Sequence, residues 1–382
     1  MITVLAIIVI LGLLIFVHEL GHFVAAKIMG IEVKTFAFGF PPRLWSKKVG
    51  ETTYSINLLP LGGYVTLRGE DETSENLDGV SDPKSLLSKK PWQLLIVFLA
   101  GVVMNVILAI VLLYFTFMIG FQPIYTGMWQ HSGIKNELKV VIDDVEKGTP
   151  AESEGIQKKD IIKTVDGQNV YLNSDVITII QDKSSANGAT VTLQIVRNGQ
   201  IIIKTLKTYK AKVQSGDKQI EVNRVGVVLT TEGKISGNLL SSFSAAISET
   251  WHITKLTVLG VVDLFRQLIL KFTVSNDVSG PVGIFVATNY FASLGFMYLV
   301  QFTALLSISL AVFNVLPIPG LDGGHIAIMA VEAITRKKFS QKTKNLIILI
   351  GFGLLILLML TVTIKDFINF DIIGYIKGVF VR

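Results

Sequence analysis

The chain of 382 residues contains no cysteine. That excludes a disulfide framework and any thiolate metal site, so a metal ion here would have to be held by nitrogen and oxygen. Charge is scarce as well: 17% of residues are charged against 50% hydrophobic, and mean hydropathy is +0.56. An ordinary soluble enzyme carries more charge than this, and the composition is that of a membrane protein. The net charge of +6 gathers beside apolar runs and lacks the aromatic interleaving with which single-strand binders stack bases. Nucleic acid is therefore not an expected partner, and membrane lipids are.

Long apolar runs are what the sequence has. About 20 such residues cross a bilayer as a helix, and the runs at 2–26, 94–119, 297–316 (continuing toward 334) and 345–363 predict four spans. The first run has no basic flank before it and no small-residue cleavage site, so it is expected to stay in the mature protein. Lysine and arginine follow the first run (Lys27, Lys34, Arg43, Lys47, Lys48) and separate the last two (Arg336, Lys337, Lys338, Lys342, Lys344). Basic loops face the cytoplasm, which puts both termini and residues 121 to about 296 on the other side.

Within that outer segment, residues 138–209 read as a compact domain: a strand LKVVIDDV, the turn EKGTPAESEGI, KKDIIKTVDGQNV, a helix near 174–183 and two strands joined at Asn198-Gly199. Asn-Gly between alternating runs is a hairpin signal. The order resembles the bacterial type of PDZ domain, a module that binds peptide ends by strand addition. No carboxylate-binding loop precedes Leu138, so a steric filter is expected more than a specific reader. Farther on, Glu249, His252, Lys255, Asp263, Arg266 and Gln267 project into one arc of roughly 120°, the pattern of a helix lying along the membrane surface.

The chemistry begins at HELGH, inside the first apolar run. In a helix His18 and His22 are four apart and share a face, so both imidazoles reach one metal ion, while Glu19 stands about 100° round, near the ion without having to bind it. This is the H-E-x-x-H arrangement of zinc hydrolases, with the glutamate as general base. A hydrolytic zinc needs a third protein ligand. Residues 314–325, NVLPIPGLDGGH, offer Asp322, set among Pro317, Pro319, Gly320, Gly323 and Gly324, which break the helix and let the backbone turn. His325 is an alternative ligand, with a supporting or helix-start role favoured.

HELGH, NVLPIPGLDGG and the PDZ-like domain between them resemble the site-2 protease family of intramembrane zinc metalloproteases, in particular the bacterial RseP and RasP type. YSINLLPLGGYVTLRGEDE and SGPVGI extend the resemblance over nearly the whole chain. It implies Zn2+ on His18, His22 and Asp322, Glu19 as base, Asn314 as a contact to substrate backbone, and a multi-pass protein of the bacterial inner (plasma) membrane with its PDZ domain extracytoplasmic. One PDZ domain in place of two matches the RasP-type arrangement.

A transmembrane substrate must unwind before it is cut, and its freed amides need partners. Alternating runs on either side of Pro60–Gly63 predict a β-hairpin over 52–68 whose edge pairs with that strand, so Gly62, Gly63 and Tyr64 join Asn314 and Pro317 as expected substrate contacts. The expected fold is an α-helical polytopic membrane protein with four transmembrane helices, a membrane-associated β-hairpin and an inserted α+β PDZ domain. Its parts are a membrane core over 1–120 and 297–382, the PDZ domain over 121–215 and an amphipathic helical linker over 216–296. The expected function is regulated intramembrane proteolysis of substrates such as anti-sigma factors or remnant signal peptides. A metal transporter would need a second site or inverted repeats, and a silent PDZ-bearing scaffold would have no use for Glu19 and Asp322.

Overall fold

The computed structural model describes residues 2–70, 82–125, 127–128, 130–182, 189–215, 218–271 and 278–369. In chain order its elements begin with α1 (Ile2–Ile28), β1 (Val33–Val49), β2 (Thr52–Leu67), α2 (Pro91–Ile119), β3 (Lys135–Asn136), β4 (Lys139–Val145), α3 (Pro150–Ser153), β5 (Ile161–Val165), β6 (Gln168–Asn169) and α4 (Asn173–Asp182). They continue with β7 (Thr190–Arg197), β8 (Gln200–Lys207), β9 (Tyr209–Ser215), β10 (Lys218–Arg224), β11 (Val227–Glu232), β12 (Ile235–Ser236), α5 (Leu239–Lys271), α6 (Pro281–Leu294), α7 (Phe296–Val315), α8 (Asp322–Thr335) and α9 (Gln341–Asn369). Two compact units result, one from Met1–Leu113 with Ala246–Asp366 and one over Tyr114–Ala245.

Four helices of the described residues are long and apolar enough to cross a membrane: Thr3–Ile28, Pro91–Ile119, Phe296–Val315 and Lys342–Ile368. They coincide with the four runs read from the sequence. Pro91 opens α2 at the position where a missing amide costs nothing. The third run does not continue to 334 as one helix. α7 stops at Leu316, which is extended (φ −58°, ψ 142°) as a residue before proline must be, and α8 restarts at Asp322.

Besides α8, the first unit holds α6 and most of α5. α6 begins within the SGPVGI stretch, at Pro281, and its first turn is capped from α9: Asp366 Oδ2 accepts from the amides of Gly280 and Gly283, each at 2.8 Å. α5 is not among the long apolar helices, in keeping with a surface helix. One residue departs from the expected polar arc. Glu249 is 1% exposed, because at the edge of that arc it falls on the same stripe as Ala246, Ile253 and Leu264, all buried at helical spacing.

The β1–β2 sheet corrects the expected hairpin. Segments 52–56 and 63–67 do not pair with each other; both pair with the first part of β1, which lies between them (Phe36 opposite Tyr54 and Val65, Ala37 opposite Ser55 and Tyr64). The second part of β1 pairs with 52–57 from the far side. Period-2 alternation fixes faces but not partners. The fold-back at Gly39 (φ +84°) decides here, where a Cβ would stand 2.8 Å from the Leu59 carbonyl oxygen, and the buried Asn57 holds the bend by donating to the Gly39 carbonyl at 2.9 Å. Aromatic contacts of Phe16 with Phe36 and Phe38, and of Phe23 with Phe36, seat the sheet on α1.

The second unit is built on a sheet of order β11-β4-β5-β7-β8 with β6 beside β5. Its core is apolar and closed, with Val140, Ile142, Val165, Val191, Leu193, Ile195 and Leu206 within 1% of full burial. The Asn198-Gly199 turn joins β7 and β8 with both residues at positive φ (50° and 81°). Asp160, 1% exposed, is held by two bonds from Arg197 at 2.6 and 2.7 Å. Residues 218–236, expected within a helical linker, are strands, and β11 forms an edge of this sheet. The domain therefore draws its last sheet strand from beyond residue 215. β3 pairs with β12 and Phe121 bridges Ile235, so the two ends of the inserted segment lie side by side.

Candidate metal centre

α1 carries HELGH without a break, so His18 and His22 face the same way one turn apart. Their Nε2 atoms are 3.2 Å from each other, and both residues are buried, at 8% and 9% exposure. The third group arrives from the other end of the chain. After α7 stops, the backbone turns through Pro317, Pro319 and Gly320 (φ +101°) and starts α8 at Asp322. The turn is so tight that a Cβ on Gly323 would lie 2.2 Å from the carbonyl oxygens of Val315 and Leu316, which only glycine avoids.

That turn brings Asp322 Oδ2 to 3.1 Å from His18 Nε2 and 3.4 Å from His22 Nε2. Oδ2 is buried and makes no hydrogen bond among the described residues. Tetrahedral zinc with bonds of about 2.05 Å sets its ligand atoms about 3.3 Å apart, so the three lone pairs converge as that ion requires. The donor set, two imidazoles and a carboxylate, also suits zinc. Among the described residues His18, His22 and Asp322 form the one such cluster. His325 is not part of it: its ring stacks on Phe98, centroids 4.9 Å apart and planes 9° apart.

Glu19 lies half-buried beside this cluster. It reaches the last segment of β2, where its Cγ would stand 3.6 Å from a Cβ on Gly63. Glycine is required at 63 by close approach, since a Cβ there would meet the Ala37 carbonyl oxygen at 2.7 Å, while Gly62 packs against the Phe40 ring. Tyr64 sits between them and Val65, opposite Ala37. Gly63 is thus brought to the glutamate. Asn314 is buried on the last turn of α7, 9% exposed, and Pro317 is exposed in the turn.

Sequence reasoning missed the contribution of α2. A Cβ on Gly21 would lie 2.4 Å from the Ala100 carbonyl oxygen, and one on Gly101 would lie 2.5 Å from His22 Nε2 and 2.7 Å from His18 Cε1. Glycine on both helices lets them close to the distance at which the imidazoles fit. His22 Nδ1–H donates to the Val97 carbonyl at 2.8 Å. The available signal was Gly101 and Asn105, four apart in a run that is otherwise apolar.

The family model for peptidase family M50 matches residues 6–358. A Clostridium perfringens protein, CPE1693, is 34% identical over 93% of this chain and 95% of its own. The zinc metalloprotease RasP of Bacillus licheniformis is 28% identical over 95% of this chain and 98% of its own. Among solved structures, the PDZ domain of an SdrC-like protein from Listeria innocua is similar over 24% of this chain and 92% of its own, at 21% identity and a TM-score of 0.20.

Proposed function

The chain belongs to peptidase family M50 and is a zinc metalloprotease of membranes, and from that premise we propose that it cuts within transmembrane segments of other membrane proteins. His18, His22 and Asp322 hold the zinc and Glu19 is the general base. The observation that carries this reading is the convergence of the three donor atoms within 3.1–3.4 Å of one another, with Glu19 beside them on a helix of membrane-spanning length. Bound zinc supplies Lewis-acid polarisation of the scissile carbonyl and acidifies the attacking water. Glu19 takes the water proton and passes it to the leaving amide nitrogen.

The substrate is held as an extended strand along the edge of segment 63–67, whose Gly63 lies against Glu19. Asn314 supports the strand, since its amide can both donate and accept. The outer unit is a PDZ-type domain that filters substrates by bulk. Anti-sigma factors and remnant signal peptides are substrates of the fitting kind, and the protein sits in the bacterial inner membrane with both termini and the outer unit extracytoplasmic. The test is Glu19→Gln: purified chain should keep its zinc and lose cleavage of a model transmembrane substrate by at least about 100-fold. Substantial turnover by that variant would remove Glu19 from the mechanism.

A further inference from the structure

Both histidines are held through their Nδ1 atoms by a single stripe of α2. Val97, Gly101 and Asn105 are spaced four apart and so line one face of that helix. The Val97 carbonyl takes the His22 Nδ1–H, Gly101 leaves room for both rings, and the Asn105 side-chain amide lies 3.2 Å from His18 Nδ1. Asn105 is fully buried, and its Oδ1 has no hydrogen-bond partner among the described residues.

The chemistry of His18 decides which end of that amide belongs against it. His18 points Nε2 at Asp322 Oδ2 and His22 Nε2, so Nε2 is the ligating nitrogen and the neutral ring carries its proton on Nδ1. An Nδ1–H needs an acceptor. The only acceptor on the Asn105 side chain is Oδ1, and turning the amide over to present it also satisfies the buried oxygen. We propose that Asn105 is a positioning residue that accepts the His18 Nδ1–H, fixing the tautomer and ring orientation in which Nε2 faces the metal.

A second bond places Asn105 more firmly. Ser307 on α7 donates to the Asn105 backbone carbonyl at 2.8 Å, and α7 is the helix that leads into the Asp322 turn. α2 thereby ties the histidine half of the cluster to the aspartate half. Outer hydrogen bonds of this type orient ligating imidazoles, and losing one costs roughly 10–100-fold in metal affinity.

The inference rests on the zinc reading above, and the test separates the two. Zinc affinity is measured by chelator competition on full-length purified chain, for wild type, Asn105→Leu and Asn105→Asp. Leucine fills nearly the same volume without an acceptor and should weaken zinc about 10–100-fold; aspartate keeps an acceptor at the same reach and should stay within a few-fold of wild type. Nitrogen-15 spectra of histidine-labelled, zinc-loaded protein should show one His18 tautomer, protonated on Nδ1, in wild type and Asn105→Asp. If the leucine chain does not fold, Asn105→Ser, polar but too short to reach Nδ1, takes its place with the same expectation. Unchanged zinc affinity in the leucine or serine variant would overturn the proposal. So would equal loss in leucine and aspartate, which would mean packing rather than hydrogen bonding. A wild-type chain that holds no zinc would overturn the zinc reading and this inference together.

Discussion

His18 Nε2 and Asp322 Oδ2 lie 3.1 Å apart, one on α1 near the start of the chain and the other at the first residue of α8, about 300 residues on. Neither half can form the cluster alone. Its assembly depends on α1, α2 and α7 packing together, so the chemistry reads out the fold of the whole membrane core.

Asn314 and the 63–67 edge are expected to act on substrate and not on zinc. Asn314→Ala should lower kcat/KM about 10-fold, near 1.4 kcal/mol and typical of a lost hydrogen bond, while zinc content stays at the wild-type level. N-methylation of alternate substrate amides should show a two-residue period, with methyls on the sheet-facing side blocking cleavage. Equal sensitivity at successive positions would rule out strand pairing.

The outer unit should be separable. β3 pairs with β12 next to the Phe121–Ile235 bridge, so residues 138–233 can be replaced by a short flexible linker between ends that already meet. The shortened protease should cut substrates that carry large folded outer domains, which wild type excludes, and cut short substrates about as before. Loss of short-substrate cleavage in a folded, zinc-containing variant would make the unit a required recognition element.

Glu249 gives a stability signature in pH. Burial pushes its carboxyl up to about 7 from an ordinary 4.5. The folded state then binds the proton more tightly than the unfolded state, so stability falls as pH rises through that window and the full cost is present above it. Glu249→Gln should leave thermal stability near pH 4 almost unchanged and raise it at pH 8, by up to about 3 kcal/mol on the 1.36 kcal/mol per pKa step. Melting curves in detergent at the two pH values check this; equal effects at both would contradict a buried, proton-holding Glu249.

Much of this was legible in the sequence, and the reasons differ by element. The spans follow from hydropathy, which length and composition suffice to read. His18, Glu19 and His22 follow from helical spacing, and Asp322 from being a carboxylate in a Pro- and Gly-broken segment. What stayed hidden was pairing between distant segments. Nothing local says that residues 33–38 enter between 52–56 and 63–67, or that β11 completes a sheet begun at Lys139. Asn105 and Gly101 read as an unremarked part of a span because their meaning lies in what α1 sets against them. Glu249 turned inward because a wheel projection shows an arc but not which part of it the neighbouring structure covers.

The central claim is that His18, His22 and Asp322 together hold one zinc ion, and elemental analysis of purified full-length chain tests it most directly. Wild type should contain close to one zinc per chain, and His18→Ala, His22→Ala and Asp322→Ala should each contain far less after mild chelation, since each removes one of the three proposed protein ligands. Glu19→Gln should match wild type. Full zinc occupancy in the Asp322→Ala chain would contradict the account, because the ion would then be held without the residue that joins the two ends of the protein.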